Sequence, residues 1–153
     1  MNLVSICGQS FFETPVSGGD FLNFELLKNL HNSENVYLII NDITFLYAKE
    51  NLKCNVLPIT DFLNLNKLVQ RYIFLIPFAF LNSLLKITKI LKEFKKPLIL
   101  YSSGDFICNI LSMVIYKKRF PKSKIIIRVC HLNENPFKRK GNSFSSSLFS
   151  FFF

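Results

Sequence analysis

A chain of 153 residues has room for one domain with a real core, and not for two full α/β domains. Half of its residues are hydrophobic and 18 are phenylalanine, which excludes the disordered class and leaves a dense core or contact with lipid. A net charge of +9 favours an anionic partner, whether nucleic acid, a membrane surface or a phosphorylated substrate, without choosing among them.

The run Leu3 to Cys7 is apolar enough for a strand covered on both faces, as in a parallel sheet, and Gly8 ends it. A long loop follows, tipped by Gly18-Gly19. Asp20 is a good N-cap for a helix in which Phe21, Leu22, Phe24, Leu26, Leu27 and Leu30 make a broad apolar face. Two residues without a Cβ at a helix start allow close approach to the backbone, and the unpaired N–H groups of a first turn attract phosphate or another anion. The simpler explanation is a tight turn chosen for its backbone angles, since the G-x-G-x-x-G dinucleotide fingerprint is missing.

After the polar turn His31 to Asn35, Val36 to Ile40 is a second strand, ended by Asn41-Asp42. Ile43 to Asn51 reads as a helical turn or two, and Lys53 to Ile59 as a third, weaker strand closed by Pro58. Thr60-Asp61 opens a long helical region reaching Phe94 and kinked near Pro77. Its most apolar part, Tyr72 to Leu85, is about 14 residues long against the roughly 20 of a bilayer span, so it predicts a buried or interfacial helix. Further on, Lys86, Lys89, Lys92, Glu93 and Lys96 line one side, with Leu84, Leu85, Ile87, Ile90, Leu91 and Phe94 on the other. The charged side is either a solvated face or one that rests on anionic lipid.

Pro97 to Tyr101 is a fourth strand, and Ser102-Ser-Gly-Asp105 turns into a helix capped by Asp105, with Phe106, Ile107, Ile110, Leu111, Val114 and Ile115 as its apolar stripe. Basic residues and Pro121 stop that helix. Lys124 to Cys130 is a fifth strand, left by the loop His131 to Phe137. Alternating strands and helices predict an α/β domain, a parallel sheet of five strands flanked by helices, over residues 1–142. In such a sheet ligands lie beyond the carboxyl ends of the strands. The loops expected there hold Gly18 and Gly19, Asp105, and His131 flanked by Asn133, Glu134 and Asn135, whose polar groups are enough to surround one small ligand. On spacing alone His131 is a satisfied loop histidine, and it serves as acid, base or phosphate donor only if something positions it.

The cysteines Cys7, Cys54, Cys108 and Cys130 are far apart in apolar runs and read as core fillers. With no C-x-x-C pair and no zinc spacing, no metal is expected, and the compartment is a reducing one. Met1-Asn2 leads directly into a strand without a targeting leader, which predicts a cytoplasmic protein. The segment 143–153 is rich in Phe and Ser and stops within an apolar run. It reads as a docking tail or as the first part of a helix in a longer chain, and it is an aggregation hazard.

The ordered set Glu13-Thr-Pro-Val-Ser-Gly-Gly-Asp20, Tyr101-Ser-Ser-Gly-Asp105 and Arg128-Val-Cys-His-Leu-Asn-Glu-Asn-Pro-Phe137 resembles the N-terminal domain of family 4 glycosyltransferases, the retaining type built from two facing Rossmann-like halves in the GT-B architecture. The likeness spans nearly the whole chain. It implies a domain that binds a saccharide, lipid-linked or membrane-associated acceptor, while a second half holds the nucleotide sugar. It implies that Gly18 and Gly19 lie against the donor's phosphates, that His131 faces the transferred hexose, and that Asp105 helps shape the acceptor side, with Asn133 and Asn135 beside the substrate. No cofactor is implied beyond the nucleotide-sugar co-substrate. The Glu-x7-Glu pair of the family's second half has no counterpart here, so the resemblance implies a half-enzyme with little activity alone, because leaving-group charge is stabilised by the other half.

A reading from another class is a non-catalytic membrane-surface module, held on the inner face of the membrane by the Lys86 to Lys96 face and the Phe-rich tail. A Rossmann oxidoreductase is disfavoured by the long first loop, the missing fingerprint and the lack of a clean acid after the second strand other than Asp42. The basic residues are spread over a helix, a turn and a loop with no recognition motif, so no specific nucleic acid is expected.

Overall fold

The computed structural model describes residues 1–7, 18–30, 35–59, 76–104 and 107–129. Their elements alternate: β1 (Asn2–Cys7), α1 (Gly18–Lys28), β2 (Val36–Asn41), α2 (Asp42–Asn51), β3 (Asn55–Ile59), α3 (Ile76–Glu93), β4 (Leu98–Ser102), α4 (Ile107–Arg119) and β5 (Lys124–Ile127). The strands form one sheet of five in the order β3-β2-β1-β4-β5, every neighbouring pair parallel. This is the predicted α/β, Rossmann-like arrangement. The tail 143–153 lies outside the described residues.

The side-chain period of two decides which helices cover which face. Val36, Leu38 and Ile40 of β2 point toward α1 and α2, where they join Phe24, Leu27, Ala48 and Leu52. Ile39 points the other way and, with Val4, Ile6, Leu98 and Leu100, meets Ile87 and Leu91 of α3 and Met113 and Tyr116 of α4. The strands grow outward from β1 first toward β3 and then toward β5, so crossovers of constant hand place the two helix pairs on opposite faces. Pro58 is tolerated because β3 is an edge strand.

Several elements depart from expectation for identifiable reasons. α1 begins at Gly18, so both glycines are its first residues and Asp20 falls in the first turn. Of the broad face expected on α1, Phe24 and Leu27 are buried, whereas Phe21, Leu22 and Leu26 are exposed, because only one sheet face is there to receive them. The expected turn or two at Ile43 is the ten-residue α2, secured by an N-cap: Asn41 Oδ1 accepts from Thr44 N (3.2 Å) and from Thr44 Oγ1 (2.6 Å). Pro77 stands in the first turn of α3, where a missing N–H removes no helix bond; residues 60–75 lie outside the described residues. Leu85, expected on the buried side of α3, is 60% exposed.

The largest departure is α4, which is turned away from its expected stripe. Cys108, Asn109, Ser112, Met113 and Tyr116 are its buried residues, while Leu111, Val114 and Ile115 face outward. Polar groups on the buried side are bonded locally: Ser112 Oγ donates to Cys108 O (2.7 Å), and Asn109 Nδ2 to Ser102 Oγ (3.4 Å). The Tyr116 hydroxyl reaches Phe94 O (2.8 Å) and Lys96 O (2.7 Å), tying the end of α4 to the turn before β4. Burial pushes the Tyr116 phenol pKa above its usual value, outweighing the opposing effects of the Lys96 main chain and the positive charge of Arg119.

Cys7 and Cys108 are buried, Cys54 is half-buried, and none of these three is in a disulfide, as expected of core fillers. Burial raises the Cys54 thiol pKa and so disfavours its reactive thiolate. No helix among the described residues is long and apolar enough to cross a membrane.

Candidate functional site at the carboxyl edge of the sheet

The chain leaves β1 toward β2 on one side, and later returns through β4 on the other. Between β1 and β4 the connections diverge, which makes this pair the topological switch point of the sheet. In open α/β sheets such a switch point is where ligands bind.

Its floor is built from small polar residues. β1 and β4 are in register from Asn2↔Leu98 to Ile6↔Ser102. Beyond that pair, Ser103 extends the join: its N–H donates to Ile6 O (3.2 Å) and its hydroxyl to the same carbonyl (3.3 Å). Ser102 Oγ donates to Gly104 O and accepts from Asn109 of α4, so the β4–α4 turn is fastened at both ends. Arg128 N donates to Ser102 O (3.1 Å), carrying the pairing past the end of β5. Ser102, Ser103 and Gly104 are all buried. A larger side chain at Gly104 would have to displace that packing.

On the β1 side, Ser5 Oγ donates to Asn23 Oδ1 (3.0 Å), and both residues are fully buried. Ser5 is the one hydroxyl in an otherwise apolar strand interior, and Asn23 lies one turn into α1. The bond fixes how α1 is rotated on the sheet, and so fixes where its first residues, Gly18 and Gly19, leave the rim. The Asn23 Nδ2 group is buried without a hydrogen-bond partner.

The two glycines and the Ser102 to Gly104 turn therefore belong to the same edge of the sheet, as expected for loops that follow parallel strands. Asp42, as the first residue of α2, is on this edge as well. Asp105, His131, Asn133 and Asn135 lie outside the described residues, as does Cys130. The sequence assigns no role to Ser5, Asn23 or Asn109, whereas Ser103 falls within the expected Ser102 to Asp105 turn. The available signal was a lone polar residue interrupting an apolar run, as Ser5 does within Leu3 to Cys7.

Chemically, the described floor is a set of buried hydroxyls and carboxamides bonded to one another and to the main chain, with helix starts nearby. At α1 the helix dipole supplies a partial positive charge. Among the described residues no group of three or more His, Cys, Asp or Glu is placed to hold a metal ion. No protein-family model matches the sequence, and neither a curated protein nor a solved structure matches it.

Proposed function

We propose that the chain is the acceptor-side half of a glycosyltransferase of the family 4 kind, which transfers a hexose from a nucleotide sugar to a saccharide or lipid-linked acceptor when joined to a donor-binding half. The observation that carries this reading is the strand order β3-β2-β1-β4-β5, whose switch point lies between the two strands that lead into the Gly18-Gly19 and Ser102 to Gly104 segments. The buried hydroxyls and carboxamides beneath that edge are bonded within the protein and support the rim, so the groups that would meet a sugar are those of the loops above it. In this reading the first turn of α1 meets a donor phosphate. His131 faces the reacting hexose, and Asp105, Asn133 and Asn135 border the acceptor. These roles rest on the sequence resemblance.

Two measurements test it. The reading frame beyond the Phe153 codon is expected to encode a second α/β unit bearing paired glutamates seven residues apart. Saturation-transfer NMR on the chain, with a panel of mono- and oligosaccharides, is expected to show transfer to at least one hexose and its loss in Gly104→Val. Enhancement of NADH fluorescence by the chain, with no saccharide response, would replace this reading by the oxidoreductase one.

A further inference from the structure

The outward face of the α3/α4 layer is built against the usual rule. On α3, Phe78, Leu81 and Leu85 share one stripe with Lys89 and Lys92, diametrically opposite the buried Ile87 and Leu91. Phe78 is 64% exposed and Leu85 60% exposed. On α4, Leu111, Val114 and Ile115 share a stripe with Lys118. Single exposed aliphatics need no explanation, but two neighbouring helices repeating the same order do.

α4 adds a second observation. The helix turns Asn109 and Ser112 inward, where they must be hydrogen-bonded, and turns Leu111, Val114 and Ile115 outward. The helix thus buries Cys108, Met113 and Tyr116 and still leaves three aliphatic residues outside, so it is apolar on both faces where a solvated outer face is ordinarily polar.

Charge identifies what covers it. Both helices run antiparallel to the strands, so their apolar halves lie toward the carboxyl edge and their basic ends toward the amino edge. Lys95 and Lys96 follow α3, and Lys117, Lys118 and Arg119 end α4. α4 has no acidic residue and α3 only Glu93. An apolar zone bordered by cations on one layer matches a bilayer surface, whose acyl boundary accepts the aliphatics while its anionic headgroups meet the lysines. A nucleic acid would satisfy the cations and leave Phe78, Leu81 and Leu85 in water.

We infer that the outward face of α3 and α4 is a docking surface for anionic phospholipid membranes, with Phe78, Leu81, Leu85, Leu111 and Val114 at the acyl boundary and Lys89, Lys92 and Lys118 on the headgroups. This goes beyond the transferase reading and stands or falls without it.

The full chain is mixed with vesicles of phosphatidylcholine alone or with about one third phosphatidylglycerol, a composition chosen to supply negative surface potential. Sedimentation is expected to show at least about tenfold tighter binding to the anionic vesicles, weakened by high salt. Lys89→Glu/Lys92→Glu/Lys118→Glu is expected to remove that preference, and Phe78→Gln/Leu85→Gln/Leu111→Gln to weaken binding at both salt concentrations. Unchanged binding by both variants overturns the inference. So does a chain that dimerises through this face and separates in the Gln variant without binding vesicles, or one that binds a DNA duplex as tightly as vesicles and equally well in that variant. A probe independent of these variants uses the absence of tryptophan from the sequence. With brominated lipid, Leu85→Trp is expected to be quenched, whereas Leu22→Trp, exposed on α1 in the opposite layer, is not; equal quenching at the two sites overturns the inference.

Discussion

The two helix layers differ in what holds them. The α3/α4 layer joins the sheet through large side chains, Ile87, Leu91, Met113 and Tyr116, and is backed by half-buried Phe94 and Phe120, with Tyr37 meeting Phe94 edge-on at 4.9 Å. The α1/α2 layer contributes Phe24, Leu27, Ala48 and Leu52, and places the polar Ser5–Asn23 pair in its midst. Both layers thus have an apolar core, but the larger buried side chains lie on the α3/α4 side, while the side that begins with the glycine pair has a buried polar pair within its core. The α3/α4 layer is the firmer of the two in this respect.

The most severe test of that contrast is truncation in each layer. Leu91→Ala, at a site 1% exposed, is expected to lower unfolding stability by about 3 kcal/mol. Leu52→Ala, 7% exposed at the end of α2, is expected to cost about 2 kcal/mol, and urea denaturation of both variants decides the order. The reverse order would break the comparison.

Next comes Tyr116→Phe, which removes the one O–H shared between the Phe94 and Lys96 carbonyls at the base of the firmer layer and is expected to cost about 1 kcal/mol. Its pH dependence sharpens the point. The folded state holds the phenol proton more tightly than the unfolded chain, whose value is near 10.0, so this contribution is complete below that pH and is lost as pH rises toward the higher folded value. Wild type is expected to lose stability through that alkaline range, and the phenylalanine variant to lack this part of the slope, read by denaturation at a series of pH values.

On the other layer, Asn41→Ala removes the α2 cap and is expected to cost about 1 kcal/mol, with helix loss at that end visible as faster amide exchange at Thr44. The smallest effect is a coupling. A double-mutant cycle on Ser5→Ala and Asn23→Ala is expected to give about 0.5–1 kcal/mol of interaction between the two side chains. Additivity there would mean that their hydrogen bond does not set α1.

Much of the architecture was legible because strands covered on both faces are continuous apolar runs: Leu3 to Cys7 and Val36 to Ile40 were recognisable without coordinates. Helix facing was harder to read. On α4 the periodicity of Ile107, Leu111, Val114 and Ile115 is as good as that of the true inner face, and only the bonds of Asn109 and Ser112 to their surroundings decide between them. The same ambiguity hid Leu85 on α3, where apolar residues occur on both sides of the helix. At the rim, the position of Gly18 and Gly19 at a helix start was legible from Asp20 and the apolar run after it, although the helix starts on the glycines rather than after them. Ser5 and Asn23 were not, since a partner eighteen positions away leaves no mark on local pattern.

The Ser5–Asn23 bond also governs how the rim can respond to whatever enters it. Slipping α1 by one residue along the sheet would swing the carboxamide through about 100°, away from the strand, so the bond works as a detent and not as a hinge. Gly18 and Gly19, as the first residues of α1, are thereby held at one height on the rim for as long as the helix keeps its register.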